Sequence, residues 1–398
     1  METRRALAAL GAMLMMASPH FAGQGKTEAT KPGTMQKQSF GKTAAGEEIE
    51  LYSLSNKGGM EASVTNLGAT LVTLKVPDKN GKSADVVLGY DDLDGYANDK
   101  AYFGATVGRY ANRIAGGKFS LESHTYSLPR NNGNNTLHGG VTGFNKHVWK
   151  AREVNSARGA TVEFSYLSKD GEEGFPGNLT ITVRYTLLTD RNDLRIDYTA
   201  NTDQDTVLNV SNHSYFNLAG EGSGDILGHV LTLHAKQFTP VDTTLIPTGE
   251  LRDVKGTPLD FTRPEAIGKR IDSSDEQMTF GKGYDHNWVL DRAASKSGLL
   301  LAAEAYEPGS ARKLQVWTTE PGIQFYSGNF LDASIHGKGG KSYGHRAAFC
   351  LETQHFPDSP NHPNFPSTLL KKGVTYRSTT VFRFPKISAS GASSKHKE

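Results

Sequence analysis

The strongest constraint on the fold is a two-residue hydrophobic rhythm in the middle of the chain. Apolar side chains occupy alternate positions of one segment, at Leu179, Ile181, Val183, Tyr185 and Leu187. Beyond the turn-forming residues 189–193 the rhythm resumes at Leu194, Ile196, Tyr198 and Ala200. Because the side chains of a strand alternate between its two faces, this pattern predicts an antiparallel pair with one buried and one solvated face.

The same rhythm recurs along the chain, and no long segment has the 3.6-residue period of an amphipathic helix. It returns at Val72, Leu74 and Val76, and again at Val162, Phe164 and Tyr166. The 43 glycines suit a protein that is rich in turns. No linker or change of composition interrupts residues 40–386. We therefore expect an all-β fold, a single large antiparallel β-sandwich domain over residues 40–386.

Charge and cysteine content exclude several classes of protein. The 44 basic and 42 acidic residues nearly cancel, which argues against a nucleic acid or an anionic membrane as the partner. Cys350 is the single cysteine of the 398 residues, so neither an intrachain disulfide nor a cysteine metal cluster is possible. The chain is expected to be a monomer or a weak dimer.

The N-terminus is typical of an export signal. Two arginines precede the apolar run Ala6–Ala17, which is too short to span a bilayer as a stable helix. We expect a signal peptide over residues 1–23, although a disordered extension or an uncleaved anchor is the alternative. Polar composition predicts a flexible lead-in over 24–39 and a disordered tail over 387–398. The protein is thus expected to be periplasmic or secreted, without a membrane partner after signal removal.

One short stretch places a histidine and a phenol among polar neighbours. His213 and Tyr215 are two residues apart, so on a strand they share one face. Asn212, Ser214 and Asn217 add more donors and acceptors than an apolar core accommodates. This combination suits proton transfer to a hydroxyl-rich ligand, whereas a lone histidine is more often structural.

Two further motifs precede that stretch. Asn112 and Arg113 would face opposite ways on a regular strand, so a loop or bulge is needed for both to reach a ligand. Their donors and acceptors are those that sugar hydroxyls require. His138 is followed by Gly139 and Gly140, which allow a sharp turn and leave the imidazole uncrowded. Each motif is a weak indication by itself.

Carboxyl and amide groups follow later in the chain. Asp285 is one candidate ligand for a hydroxyl, and Gln324 is another, on a strand whose neighbouring apolar residues face the other way. Glu352 lies inside an apolar strand, where an unpaired carboxylate is costly. Such a group finds a partner or has its pKa raised, as a general base near neutral pH requires.

A metal centre built from His138, His213, Glu352 and His355 is a competing interpretation. Glu352 and His355 are three residues apart, so they face opposite sides of a strand. The other two histidines lack the paired spacing of metal ligands. We therefore expect no catalytic metal.

Taken together, these motifs resemble the aldose 1-epimerase (galactose mutarotase) family. The matching strings are Gly108–Ile114, Leu137–Gly140, Asn212–Leu218, Phe238–Asp242, Gly256–Phe261, Tyr284–Asn287, Gly322–Phe330 and Leu351–Pro366. They follow the family order over essentially the whole predicted domain. The resemblance implies a β-sandwich that needs no cofactor and interconverts the α and β anomers of a free hexose.

The resemblance also implies roles for individual residues. Glu352 would be the general base and His213 the general acid, with His138 assisting at the ring oxygen or an adjacent hydroxyl. The sugar would be held by Asn112, Arg113, Tyr215, Asp285 and Gln324. Glu352 must then be ionised while His213 is protonated. Reference pKa values of about 4.3 and about 6.5 favour that order, and a modest rise for His213 would help.

Three other functions would use some of the same residues. A sugar-phosphate 1-epimerase would direct basic residues at the phosphate, and Arg109 and Arg113 are the candidates. A non-catalytic carbohydrate-binding protein would not require both Glu352 and His213. A glycoside hydrolase would need two carboxylates that flank a bond, such as Asp285 and Glu352. The pairing of a histidine with a glutamate favours ring opening over hydrolysis.

Overall fold

The computed structural model describes residues 33–292 and 298–386. The predicted signal peptide, residues 24–32 of the predicted lead-in and the predicted tail over 387–398 lie outside these ranges. Within them, no helix has both the length and the apolar character needed to cross a membrane.

Strands account for most of the regular structure, and they are numbered in chain order. The first ten are β1 (Met35–Lys42), β2 (Glu48–Ser55), β3 (Glu61–Thr65), β4 (Thr70–Pro77), β5 (Ser83–Asp85), β6 (Thr106–Val107), β7 (Arg113–Ile114), β8 (Lys118–Leu121), β9 (His124–Ser127) and β10 (Thr136–Leu137). The next nine are β11 (Lys150–Glu153), β12 (Gly159–Ser168), β13 (Leu179–Leu188), β14 (Asp193–Thr202), β15 (Thr206–Val207), β16 (Ser211–Asn212), β17 (Tyr215–Phe216), β18 (Val230–Leu233) and β19 (Ala235–Thr239). The last are β20 (Arg252–Asp253), β21 (Glu265–Ala266), β22 (Asp285–Leu290), β23 (Leu300–Tyr306), β24 (Lys313–Thr318), β25 (Gly322–Tyr326), β26 (Phe349–Gln354), β27 (Leu369–Leu370) and β28 (Tyr376–Arg383).

Helices in the described residues are short. Two are α-helical, α1 (Leu93–Ala97) and α2 (Glu276–Gly281), and each begins at an aspartate whose carboxylate accepts a backbone N–H of the first turn. Single 3₁₀ turns occupy Ala115–Gly117, Phe144–Lys146, Glu172–Gly174, Ile267–Lys269, Lys338–Gly340 and Ser359–Asn361.

Three antiparallel sheets make up most of the fold. One contains β1 to β5 in order, and a second has the order β11-β12-β13-β14-β28-β24-β23-β18-β21. The third has six strands in the order β17-β26-β25-β22-β19-β20. The remaining pairs are two-stranded, and the prediction of an all-β antiparallel fold is confirmed.

The alternating segment that opened the prediction forms two adjacent strands of the nine-stranded sheet. β13 pairs with β14 in an antiparallel register that sets Val183 opposite Tyr198. Its alternate residues Leu179 and Ile181 are fully buried, while Thr180 and Arg184 are exposed. The predicted pair with one buried and one solvated face is therefore confirmed.

The core lies between the nine-stranded sheet and the other two. Phe164 of β12 meets Tyr52 of the five-stranded sheet edge to face, with ring centroids 5.7 Å apart. Phe382 of β28 meets Phe216 of the six-stranded sheet at 5.1 Å. Burial of such side chains is worth roughly 1.5–3 kcal/mol each, so packing across this interior holds the layers of the sandwich together.

The sheet begins earlier in the chain than predicted. β1 pairs with β2 from Met35 onward, so the prediction of a flexible lead-in over 24–39 is wrong for residues 35–39. The cause is that β1 is an edge strand whose side chains at Gln36 and Lys37 are exposed. Its composition is that of a linker although its backbone is paired.

Candidate active site

Three neighbouring strands place carboxyl and amide groups on one face of the six-stranded sheet. Ile323 and Leu351 turn into the core, so the alternate residues Gln324 and Glu352 take the opposite face. The register sets Gln324 directly opposite Glu352 across the β25–β26 pair. Asp285 begins β22 on the other side of β25. The strands thereby build a polar floor on a rigid support.

The catalytic pair predicted from the sequence is formed in the structure. His213 lies in the break between β16 and β17, and its Nε2 is 3.7 Å from Glu352 Oε2. The imidazole stacks on the Tyr215 ring, with centroids 5.0 Å apart. Its Nδ1 is 3.6 Å from the thiol sulfur of Cys350. Both catalytic candidates are buried, so the carboxyl group and the imidazole face each other away from bulk water.

The polar neighbours of His213 form hydrogen bonds with the backbone and with one another. The Asn212 amide donates to Gly104 O at 2.9 Å, and Ser214 Oγ donates to Asn212 Oδ1 at 2.6 Å. Asn217 Nδ2 donates to Ala347 O at 3.0 Å. These hydrogen bonds account for the excess of donors and acceptors in this stretch, because they hold the broken strand in place.

The Asn112 and His138 motifs meet through two reciprocal hydrogen bonds. The His138 N–H donates to Asn112 O at 3.0 Å, and the Asn112 N–H donates to His138 Nδ1 at 3.2 Å. Both residues have left-handed backbones, with φ of 65° and 51°, a conformation that costs energy in residues other than glycine. A side chain at Gly139 would place its Cβ 1.8 Å from Gly108 O. That close approach explains why a glycine follows the histidine.

The hydrogen bond from the Asn112 N–H to Nδ1 fixes the protonation state of His138. A neutral imidazole that accepts a hydrogen bond at Nδ1 carries its proton on Nε2. Burial, followed by the charges of His213 and Arg113, holds the pKa of His138 well below its usual range. His138 is therefore a neutral donor through Nε2, which suits a hydrogen bond to a sugar oxygen better than proton transfer.

Arg113, Asp285 and Gln324 form a connected group beside the pair. The Arg113 guanidinium is 3.7 Å from Asp285 Oδ2, and Gln324 Nε2 donates to Asp285 Oδ1 at 2.7 Å. Burial raises the pKa of Asp285, while Arg113 and the Gln324 amide oppose that rise. The structure therefore brings together all eight residues predicted for the site.

Protonation of the pair differs from the prediction. Burial raises the pKa of Glu352 well above its usual range, with the charge of Asp285 as a second cause. Burial also lowers the pKa of His213 to about 4. The expected order, with Glu352 ionised and the pKa of His213 raised, is thus reversed. The reason is that both groups lose water, which penalises whichever form is charged.

The argument against a metal centre comes from hydrogen bonding at His138 and not from the spacing of residues in the sequence. The ligand atoms of His138, His213 and Glu352 lie within 4.8 Å of one another, so sequence spacing was a poor guide to their separation. His355 lies apart, with Nδ1 2.6 Å from Glu320 Oε2. A metal on His138 Nε2 would place a proton on Nδ1, where the Asn112 N–H already donates. The observed hydrogen bond therefore opposes metal binding at His138.

Three site residues were missed. The Tyr102 ring lies 4.7 Å from the His138 ring and 5.9 Å from the His213 ring, between centroids. It follows no strand pattern, and no local signal marks it. Asn287 and Gln354 are buried amides that follow Asp285 and Glu352 by two positions. The two-residue strand rule places both on the polar face, so the sequence contained the signal for them.

An antiparallel β-sandwich with a buried histidine–glutamate pair, set among groups suited to hydroxyls, is typical of a sugar-converting enzyme that works by proton transfer. Comparisons with known proteins agree with this class. The protein family described as Aldose 1-epimerase matches residues 50–383. The chain belongs to this family, and it is an isomerase that interconverts the α and β anomers of hexoses.

Individual relatives cover most of the chain. It is 47% identical over 325 residues to the galactose mutarotase of Bos taurus, covering 82% of this chain and 91% of that protein. It is 38% identical over 341 residues to the aldose 1-epimerase of Escherichia coli, covering 85% and 96%. Among solved structures, an aldose epimerase homologue from C. elegans superposes with a TM-score of 0.76 at 33% identity, covering 84% of this chain and 98% of that one. The resemblance seen in the sequence is confirmed.

Proposed function

We propose that Glu352 and His213 open and reclose the ring of a free hexose, with Glu352 as the base and His213 as the acid. The observation that carries this proposal is the 3.7 Å approach of His213 Nε2 to Glu352 Oε2 in a buried polar site. The C1 hydroxyl oxygen and the ring oxygen are bonded to the same carbon, so two groups that exchange protons with these oxygens must lie close together.

The reaction requires that Glu352 and His213 together hold one proton. Glu352 takes the proton of the C1 hydroxyl as His213 gives its own to the ring oxygen, and the bond between C1 and that oxygen breaks. The aldehyde rotates about C1–C2, and its other face closes with the two transfers reversed. Protonated Glu352 with neutral His213 is therefore the form that accompanies the open sugar. Burial of the pair favours this form, because neither group is then charged.

Sugar binding supplies the hydrogen-bond donor that the ionised form of Glu352 lacks. Glu352 Oε2 has no hydrogen-bond partner among the described residues, although it is buried. A hydroxyl that donates to this oxygen stabilises the carboxylate, and the carboxylate in turn stabilises the protonated imidazole 3.7 Å away. His138 would donate through Nε2 to a sugar oxygen. Asp285, Gln324 and Arg113 would hold the remaining hydroxyls, beside Asn112 and Tyr215.

The substrate that we propose is free galactose or glucose. Relatives at 43–47% identity carry the name galactose mutarotase. Polarimetry of freshly dissolved α-galactose and α-glucose tests this directly, since the purified protein should speed the drift of optical rotation. The methyl α-glycosides serve as the control because they lack the C1 hydroxyl proton and should not change. Binding of both sugars without any acceleration would instead identify a carbohydrate-binding protein.

A phosphate on the sugar has no support from Arg109. Its guanidinium is buried and donates to Pro176 O at 2.7 Å, Gly177 O at 3.0 Å and Ser168 O at 3.1 Å. These carbonyls use the donors that a phosphate would need. The suggestion of Arg109 as a phosphate ligand is therefore wrong, and Arg113 is already engaged with Asp285.

We expect the rate of mutarotation to be independent of added metal. Because the Asn112 N–H occupies His138 Nδ1, the donor set lacks the tautomer that a metal requires. Polarimetric rates should be unchanged after treatment with a chelator and gel filtration. A rate that collapses on chelation and returns with zinc would show that the pair acts through a metal.

We propose that the protein is exported and that its signal is removed, on the basis of the arginine-led apolar run before residue 18. Intact-mass measurement of protein from the native host should show an N-terminus between about residue 18 and about residue 30. Recovery of the chain with Met1 intact in the cytoplasmic fraction would contradict export.

A further inference from the structure

Gln324, which is proposed to hold the sugar, belongs to a layer of three buried amides with Gln354 and Asn287 on neighbouring strands. Each is at most 3% exposed. Gln354 Nε2 donates to Gln324 Oε1 at 3.4 Å and to Asn287 Oδ1 at 3.5 Å. The amino group has two N–H donors, one for each acceptor, and both distances exceed the usual range of about 2.7–3.2 Å. No part of the proton transfer described above uses Gln354 or Asn287.

The orientation of these amides follows from Asp285. An ionised carboxylate only accepts hydrogen bonds, so Gln324 must turn its amino group toward Asp285, as it does at 2.7 Å. The carbonyl of Gln324 then points the other way, where it needs a donor. Gln354 is the residue that supplies one.

The backbone of β25 is adapted to this layer. Gly322 lies opposite Gln354 in the register. A side chain at Gly322 would place its Cβ 2.5 Å from Asn287 Oδ1 and 2.9 Å from the Phe356 ring. The absence of a side chain at this position leaves room for the Asn287 amide to reach Gln354. This observation is independent of the hydrogen bonds themselves.

We propose that Gln354 is a positioning residue that holds the Gln324 amide with its amino group toward Asp285, so that Asp285 is kept as an acceptor for a sugar hydroxyl. The inference rests on the proposed role of Gln324 and Asp285 in binding the sugar. Without the Gln354 donor, the buried Gln324 carbonyl is left without its partner, and the Gln324 side chain is no longer held against rotation away from Asp285. Asp285 would then lose the Gln324 donor on one of its oxygens, and with it the orientation in which it accepts from a sugar hydroxyl.

The test is a double-mutant cycle between Gln354 and Gln324, with kcat and KM for α-galactose measured by polarimetry. Gln354→Met keeps the side-chain length and removes the donor. It should raise KM about 5- to 20-fold and leave kcat within about threefold of wild type. Gln324→Met should raise KM at least as much. If Gln354 acts through Gln324, the double variant should match Gln324→Met alone within about twofold.

The outcomes separate this inference from the proposed function. An unchanged KM in Gln324→Met overturns both the sugar-binding role of Gln324 and the inference that rests on it. A raised KM in Gln324→Met with an unchanged KM in Gln354→Met overturns the inference alone, as does a double variant whose KM rises by the product of the two single effects. Gln315→Met is the matched control, since Gln315 is a strand glutamine of the nine-stranded sheet that donates to Glu304.

A second variant keeps the inference testable if Gln354→Met fails to fold. Gln354→Glu retains the shape, and its protonated carboxyl group still donates to Gln324, whereas the ionised group does not. Its KM relative to wild type should rise with pH as the donor is lost. A ratio of KM values that stays flat with pH contradicts a positioning role, because packing alone does not depend on the proton.

Discussion

Replacing Glu352 by glutamine should lower kcat for α-galactose by about 10²- to 10⁴-fold, the usual worth of a general base. The amide has nearly the same shape and keeps the hydrogen-bonding capacity of the site, but it cannot take the C1 hydroxyl proton. KM should change little, since the groups proposed to hold the sugar remain. Polarimetry on fresh sugar gives the rate, and calorimetric titration with the methyl glycoside gives the affinity.

The matched control is Glu304→Gln. Glu304 is a strand glutamate of the nine-stranded sheet that pairs with Lys313, so it reports the loss of a strand carboxylate outside the site. Its kcat should equal that of wild type. Activity of Glu352→Gln within a factor of a few of wild type would remove Glu352 from the mechanism.

The same substitution should change stability in a way that depends on pH. The pKa of Glu352 is raised in the folded protein, so the folded state holds a proton that the unfolded state releases above its own pKa. Stability of the wild type therefore falls as pH rises from the unfolded pKa to the folded one. Glu352→Gln lacks this loss, and its melting temperature relative to wild type should increase from about pH 5 to about pH 8. A difference that shrinks over this range would show that the carboxylate is stabilised in the fold.

Replacing His213 by asparagine should also cost about 10²- to 10⁴-fold in kcat, since no other group in reach returns a proton to the ring oxygen. His138→Asn should cost only about tenfold, because a neutral amide still donates a hydrogen bond. The two variants therefore separate an acid from a hydrogen-bond donor.

The pH profile of kcat/KM tells the two histidines apart. The active pair holds one proton, so activity should fall at low pH as a second proton binds and at high pH as the last one leaves. The acid limb should lie near the His213 pKa of about 4, and the alkaline limb should lie above the usual range for a glutamate. His213→Asn should leave a single limb because one titrating group remains. His138→Asn should keep both limbs, because His138 stays neutral throughout.

A buried histidine outside the site provides the control. His229 accepts the Leu218 N–H at 3.0 Å, and burial lowers its pKa to about 4 as well. His229→Asn should lower the melting temperature but preserve both limbs of the profile. If His138→Asn loses a limb while His213→Asn keeps both, the two histidines have been assigned the wrong way round.

Local signals explain the parts of the site that were predicted well. Strand geometry repeats every two residues, so the side chain of Gln324 was assigned to the face opposite its apolar neighbours, and the structure agrees. The same rule places Asn287 on the face of Asp285 and Gln354 on the face of Glu352, because each follows by two positions. Those two residues were missed because amides on a strand are as often solvated as buried, and burial is set by the segments that cover the sheet.

The polar residues around His213 show the opposite case. Asn212 and Asn217 stood out in the sequence as donors and acceptors that an apolar core does not need, and both donate to backbone carbonyls. An asparagine satisfies either kind of partner equally well. Residue type alone therefore does not distinguish a ligand from a support.

By itself the sequence determined the fold class and the family, because alternation along strands and ordered motifs are local properties of a chain. It also named eight candidate site residues, which the structure places close together. Only the tertiary structure decided how those residues act together. It set His213 against Glu352 and fixed the His138 proton on Nε2 through Asn112. It also reversed the expected protonation of the pair, since reference pKa values describe groups in water. Removing that water is a property of the packed interior, to which the whole chain contributes.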